Sequence, residues 1–205
     1  MAITTYTELK TAVTGFLDRT DITTRVPEFI VFAEAHMNRE LRTNDQLAFA
    51  TLPADSPTLA LPSDLREVKA VRIASTGEPL KFRDIDQMDE LRPRFSTPGT
   101  PLFYGVAGAS LEFLPAPPAA SPVDIFVRYF RAVPALTDAA PTNWLLTKHP
   151  DAYLYGSLIH SAPYLREDER VPLWVEAFTA IIESIRQESD RAMFPAGVVT
   201  AETYG

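Results

Sequence analysis

The sequence predicts an α+β fold: a four-helix bundle formed by N- and C-terminal helix pairs, with an antiparallel β-sheet or sandwich domain inserted between them. Three patterns predict it. Thirteen of the 18 prolines fall between Pro53 and Pro141, which forbids long helices in the middle of the chain. Apolar residues recur every three or four positions before and after that region, and every second position within it. Beyond Phe194-Pro195 the periodicity stops. The expected division is 1–46 with 141–194 as a discontinuous helical bundle, 47–140 as the inserted β domain, and 195–205 as a flexible C-terminal tail.

The first helix is expected from Tyr6 to about Asp18. Thr5 followed three residues later by Glu8 is a capping box, each side chain satisfying the other's backbone N–H. Leu9, Val13, Phe16 and Leu17 supply the apolar stripe. After a turn around Asp21, a second helix is expected from about Arg25 to Arg42, with Pro27 in its first turn, where a missing N–H costs nothing. Phe29, Ile30, Ala33, Met37 and Leu41 form its apolar face, and Glu34, Asn38 and Arg42 its other face. Neither helix can bury its stripe on the other alone.

From Leu47 the period changes to two. Residues 47–52 and 58–61 read as strands paired around Pro53–Pro57. Val68–Ile73 alternates, and Leu80–Phe82 is short and edge-like. Asp84 to Arg92 reads as one short helix stopped by Pro93. Strands follow at 103–107, 111–114 and 123–130. In the last, Phe126, Tyr129 and Phe130 are expected on the core side, with Arg128 and Arg131 on the other. Short strands with proline-rich turns indicate a small antiparallel sheet or sandwich.

The third helix is expected from Pro150 to Leu165, uncharged from Ala152 onward and therefore the most buried. The fourth runs from near Asp168 to Met193. Leu173, Trp174, Ala177, Phe178, Ile181, Ile182 and Ile185 make its stripe, and Glu176, Glu183, Arg186 and Asp190 lie opposite. Trp144 is expected to clamp the preceding loop onto the bundle.

Composition narrows function. Of 205 residues, 46% are hydrophobic and 22% charged, within the globular range. The chain has no cysteine, which removes disulfides, thiol catalysis and cysteine-ligated metals. A net charge of −8, spread over all three segments, argues against a phosphate-gripping nucleic-acid binder. No apolar run approaches the ~18 residues of a membrane span, and Met1–Thr5 has no signal-peptide character. A soluble protein made in the cytoplasm is expected.

Chemistry-bearing motifs are few. No phosphate-binding glycine loop occurs. His36 can pair with Glu40, and His149 sits at a helix start. Ser157 and His160 are three residues apart on the uncharged helix, and a hydrolase using this pair is the enzymatic alternative. Gly156-Ser157 lacks the second glycine of a nucleophile elbow. Asp84, Asp86, Asp89 and Glu90, like Glu167-Asp168-Glu169, read as acids opening helices, where the dipole favours them. Arg66, Lys69, Arg72, Lys81 and Arg83 interleave with acids, as on a salt-bridged face or subunit contact. No catalytic residue, cofactor or metal is assigned.

Several blocks carry a family resemblance. They are Ile3-Thr4-Thr5-Tyr6 with Glu8-Leu9-Lys10, Val26-Pro27-Glu28-Phe29-Ile30, Asn38-Arg39-Glu40-Leu41-Arg42, Leu61-Pro62-Ser63-Asp64-Leu65 and Leu111-Glu112-Phe113-Leu114-Pro115. The most specific run is Val133-Pro134-Ala135-Leu136-Thr137-Asp138, Asn143-Trp144-Leu145-Leu146-Thr147 and Pro150-Asp151-Ala152-Tyr153. In order and spacing these resemble the bacteriophage head-to-tail adaptors of the tail-tubular type. The resemblance implies a structural virion protein at the head–tail neck, in a ring of twelve copies. Its partners would be the portal protein above, a downstream tail, stopper or nozzle protein below, and DNA only in passage through the lumen, with no membrane. It implies a portal-binding tail carrying Phe194, Pro195, Val198, Val199 and Tyr204. Mixed-charge surfaces at Glu34, Asn38, Arg42, Arg72 and Arg128 are the expected subunit interfaces. A small soluble binding module of the same architecture is the other alternative.

Overall fold

The computed structural model describes residues 2–165 and 169–193. In chain order the elements are α1 (Tyr6–Leu17), α2 (Val26–Glu40), β1 (Leu47–Ala54), β2 (Thr58–Ala60), β3 (Leu65–Ile73), β4 (Lys81–Phe82), α3 (Ile85–Leu91), β5 (Phe103–Ala107), β6 (Ser110–Leu114), β7 (Val123–Arg131), α4 (Trp144–Lys148), α5 (Pro150–Ser161) and α6 (Val171–Met193). The fold is α+β, and the chain divides into two compact units, Met1–Asp45 with Val133–Gly205, and Gln46–Ala132.

In the helical unit, α1 starts on the capping box: the Thr5 hydroxyl accepts the Glu8 N–H at 3.3 Å, and the Glu8 carboxylate accepts the Thr5 N–H at 3.0 Å. Pro27 stands in the first turn of α2, and Phe29, Ile30, Ala33, Met37 and Leu41 are all fully buried. α5, uncharged from Ala152 onward, packs on α2, α6 and α1. Gly156 allows this close approach: a Cβ there would lie 3.0 Å from the Phe178 ring and 3.2 Å from Ala33 Cβ. Tyr153, Leu158, Trp174 and Phe178 complete the core. Each large apolar side chain so buried contributes about 1.5–3 kcal/mol.

Three expectations for this unit are corrected. Glu34 is buried rather than solvent-facing. Its carboxylate accepts the Leu136 N–H at 2.7 Å and the Tyr153 hydroxyl at 3.2 Å. Asn38 accepts the Val133 N–H at 2.8 Å, so both side chains fasten the 133–143 segment to α2. Leu173 is 63% exposed, because the buried line of α6 runs through Trp174, Phe178, Ile182, Ile185 and Ser189. An additional short helix, α4, precedes α5. Asn143 caps it by accepting the Leu146 N–H at 2.8 Å, and α5 ends at Ser161, followed by a 3-10 turn to Tyr164.

In the β unit, one sheet has the order β1-β7-β3 and the other β2-β6-β5-β4. β1 therefore does not pair with β2. All eight of its residues pair antiparallel with β7, and β2 pairs with β6. Pro53 is tolerated because β1 is an edge strand. β4 runs parallel to β5, a departure from the all-antiparallel expectation. The core of this unit draws on both sheets, with Val71, Ile73, Ile125 and Val127 from one and Tyr104, Leu111 and Phe113 from the other. Along β7, Ile125, Val127 and Tyr129 are buried and Asp124 and Arg128 exposed. Phe126 lies on the Arg128 side of the strand, a further correction. Among the described residues, no helix is long and apolar enough to cross a membrane.

Candidate interaction surfaces

Ser157 and His160 are not brought together as an acid–base pair. Ser157 is fully buried, and its hydroxyl donates to the Tyr153 carbonyl at 2.7 Å, the usual back-bond of a mid-helix serine. His160 turns instead to α2, its ring 5.6 Å from His36 and 5.9 Å from Phe32. Burial first, and then each other's neighbourhood and Arg39, hold His160 below the ordinary histidine range; burial and Arg39 do the same for His36. The expected pairing of His36 with Glu40 does not form, since Glu40 bonds Arg186 on α6. Of the acids expected to open a helix, Asp84 caps α3 by accepting the Gln87 N–H at 2.8 Å and Asp86 lies in its first turn, whereas Asp89 and Glu90 lie at its C-terminal end, where Asp89 pairs with Arg92 at 2.7 Å. Among the described residues, no group of three or more acids and histidines is placed to hold a metal.

The buried polar centre of the helical unit is structural. Asn143 donates to the Pro134 carbonyl and to the Tyr153 hydroxyl, each at 2.6 Å, and that hydroxyl donates onward to Glu34. Burial raises the Glu34 carboxyl above its ordinary value, opposed by the Leu136 N–H and the Tyr153 hydroxyl. Burial, and then Glu34, raise the Tyr153 phenol. Glu34 is thus withdrawn from the surface. Asn38 is half-buried, and Arg42 donates to the Asn38 and Leu41 carbonyls at 3.0 and 2.6 Å.

Arg72 and Arg128 are both exposed on the outer face of the three-stranded sheet. Arg72 opposes Phe126 across the β3–β7 ladder, and its guanidinium lies 4.2 Å from the ring centroid. Phe49 on β1 opposes Arg128, is 73% exposed, and stacks on Phe126 at 5.7 Å. Sequence reading missed the two phenylalanines; the alternation of β7, which sends position 126 outward when 125 and 127 point in, is the signal that could have found Phe126. Elsewhere in the β unit, an open groove of 620 Å³ is lined by Leu61, Leu65, Val68, Phe82 and Tyr104. In the helical unit, a 400 Å³ groove involves His36, Ile159, Val175, Phe178 and Ile182. These are shallow, apolar surfaces rather than a site with convergent catalytic groups. Phe194, Pro195, Val198, Val199 and Tyr204 lie outside the described residues, as do Glu167 and Asp168.

A family model described as SU10 adaptor protein matches residues 4–200, nearly the whole chain. The chain belongs to the SU10 adaptor protein family. No curated protein matches it. As an SU10 adaptor family member it is a phage head-to-tail adaptor, a structural phage protein whose family is not one of known enzymes. Membership implies a place at the virion neck and association with portal and tail components. The surfaces of this SU10 adaptor are accordingly the parts to read for function.

Proposed function

We propose that this protein forms a ring between the phage portal and the tail and passes DNA through its lumen. The observation that carries the reading is the family match over residues 4–200. The ring is read as having twelve copies, with α1, α2, α5 and α6 as a four-helix bundle scaffold in each. Closure of a ring needs two different complementary faces on every subunit. Exposed Arg72 and Arg128 are assigned to one of them, with half-buried Asn38 and Arg42 in lesser roles. Phe194, Pro195, Val198, Val199 and Tyr204 are assigned to portal binding, and a stopper or nozzle protein takes the opposite side. A net charge of −8 suits a channel along which DNA slides without sticking.

The test is the sedimentation mass of the purified protein, alone and mixed with portal rings. A ring joining the portal in fixed stoichiometry supports the reading. A monomer that ignores the portal overturns it.

A further inference from the structure

Exposed Phe49 stacks on half-buried Phe126, the pair is flanked by Arg72 and Arg128, and among the described residues neither guanidinium has a carboxylate within ion-pair distance. Arginine beside aromatic rings is the composition of an interface centre rather than of idle surface. Asp124 is the one acid on the outward line of β7. Two copies meeting through this same face would bring four guanidinium groups together, so its complement is a different, acidic surface.

The chain carries such a surface. On α6, Leu173, Glu176, Ala180, Glu183, Gln187 and Asp190 recur at alternating spacings of three and four, and all six are exposed. This stripe lies opposite the buried line of Trp174, Phe178, Ile182 and Ile185. Glu176 and Asp190 have no ion pair among the described residues, and Glu183 has only Arg186 at 3.8 Å. Glu176 and Glu183 are one heptad apart, about 10 Å along the axis. Arg72 and Arg128 are diagonal neighbours on adjacent strands, ~7–8 Å apart at the backbone. Long arginine side chains span that difference.

We infer that the outer face of β1, β7 and β3 of one copy packs on the outer stripe of α6 of the next. Phe49 and Phe126 cover Leu173 and Ala180, while Arg72 and Arg128 meet Glu176 and Glu183. This rests on the ring reading and names the two faces that build it.

Charge exchange tests it. One variant carries Arg72→Glu and Arg128→Glu, leaving both faces acidic; a second carries Glu176→Arg and Glu183→Arg, leaving both basic. All four positions are exposed, and circular dichroism with thermal melts establishes that each variant is folded. Assembly is read by sedimentation, with and without portal rings. Each variant alone is expected to lose the ring, at least tenfold in assembled fraction, and a 1:1 mixture to regain it as an alternating ring. Rings that form normally from either variant alone overturn this inference and leave the ring reading intact. Variants that lose assembly without recovery in the mixture overturn the pairing of these two faces. A wild type that assembles in neither condition overturns the ring reading itself and this inference with it. Wild-type binding to a single-stranded oligonucleotide that the Arg72→Glu, Arg128→Glu variant loses, with its ring intact, reassigns the sheet face to DNA.

Discussion

The Tyr153 hydroxyl donates to the Glu34 carboxylate across 3.2 Å, joining residues 119 positions apart inside the helical unit. With Asn143 and the Leu136 N–H, this bond fixes the segment that re-enters the helices after the β unit. A buried polar network of this kind is stabilising only while its members are all paired.

Glu34→Ala therefore leaves the Leu136 N–H and the Tyr153 hydroxyl short of an acceptor, a loss of about 2–3 kcal/mol. Glu34→Gln keeps an acceptor oxygen and removes a buried charge, and is expected within ~1 kcal/mol of wild type. Urea denaturation of the two variants checks the difference.

The same carboxyl gives a pH dependence with a definite sign. Its folded-state value is raised by burial above the unfolded one, so the folded chain holds the proton more tightly. That contribution is full below the unfolded carboxyl value and is lost as pH rises through the folded one. Denaturation midpoints of wild type and Glu34→Gln, compared from about pH 4 to pH 8, are expected to shift in favour of the glutamine variant as pH rises. The comparison removes the opposite contribution of carboxyls such as Glu8 and Asp21, which lie below their ordinary values.

Gly156→Val is expected to destabilise by about 1–3 kcal/mol, because branched carbon would press on Phe178 and Ala33, where a bare Cβ is already tight. Thermal unfolding measures it.

Phe29 and Phe49 contrast burial at constant chemistry. Phe29→Ala empties a fully buried site and is expected to cost about 3–5 kcal/mol. Phe49→Ala, at 73% exposure, loses mainly its stack on Phe126 and is expected to cost no more than about 1.5 kcal/mol. Equilibrium unfolding of both variants checks the ratio.

The local signals were legible where a single element determines them. The Thr5–Glu8 capping box, the proline at the start of α2 and the α2 stripe all fold as their spacing predicts. Glu34 was misread because its charge outweighed its position: Ile30, Glu34, Met37 and Leu41 follow spacings of four, three and four, which is a core line. Only Tyr153 and Leu136, far along the chain, make that carboxylate tolerable there. Strand partners failed for a similar reason. β1 and β2 are close in sequence, but the ladder of β1 is with β7, and nothing local records that choice. On α6, Leu173 is apolar and next in sequence to buried Trp174 yet lies on the outer stripe, and composition alone could not separate the two. On the outer sheet face Arg72 and Arg128 were legible as interface residues, but their grouping with Phe49 and Phe126 was not, because the four side chains come from three strands.

The most direct test of the account is cryo-electron microscopy of the assembled neck, made from this protein and its portal. The account predicts a closed ring of this chain against the portal, around a DNA-wide channel with an acidic wall. A neck without this chain, or a chain bound as isolated copies that enclose no channel, would contradict it.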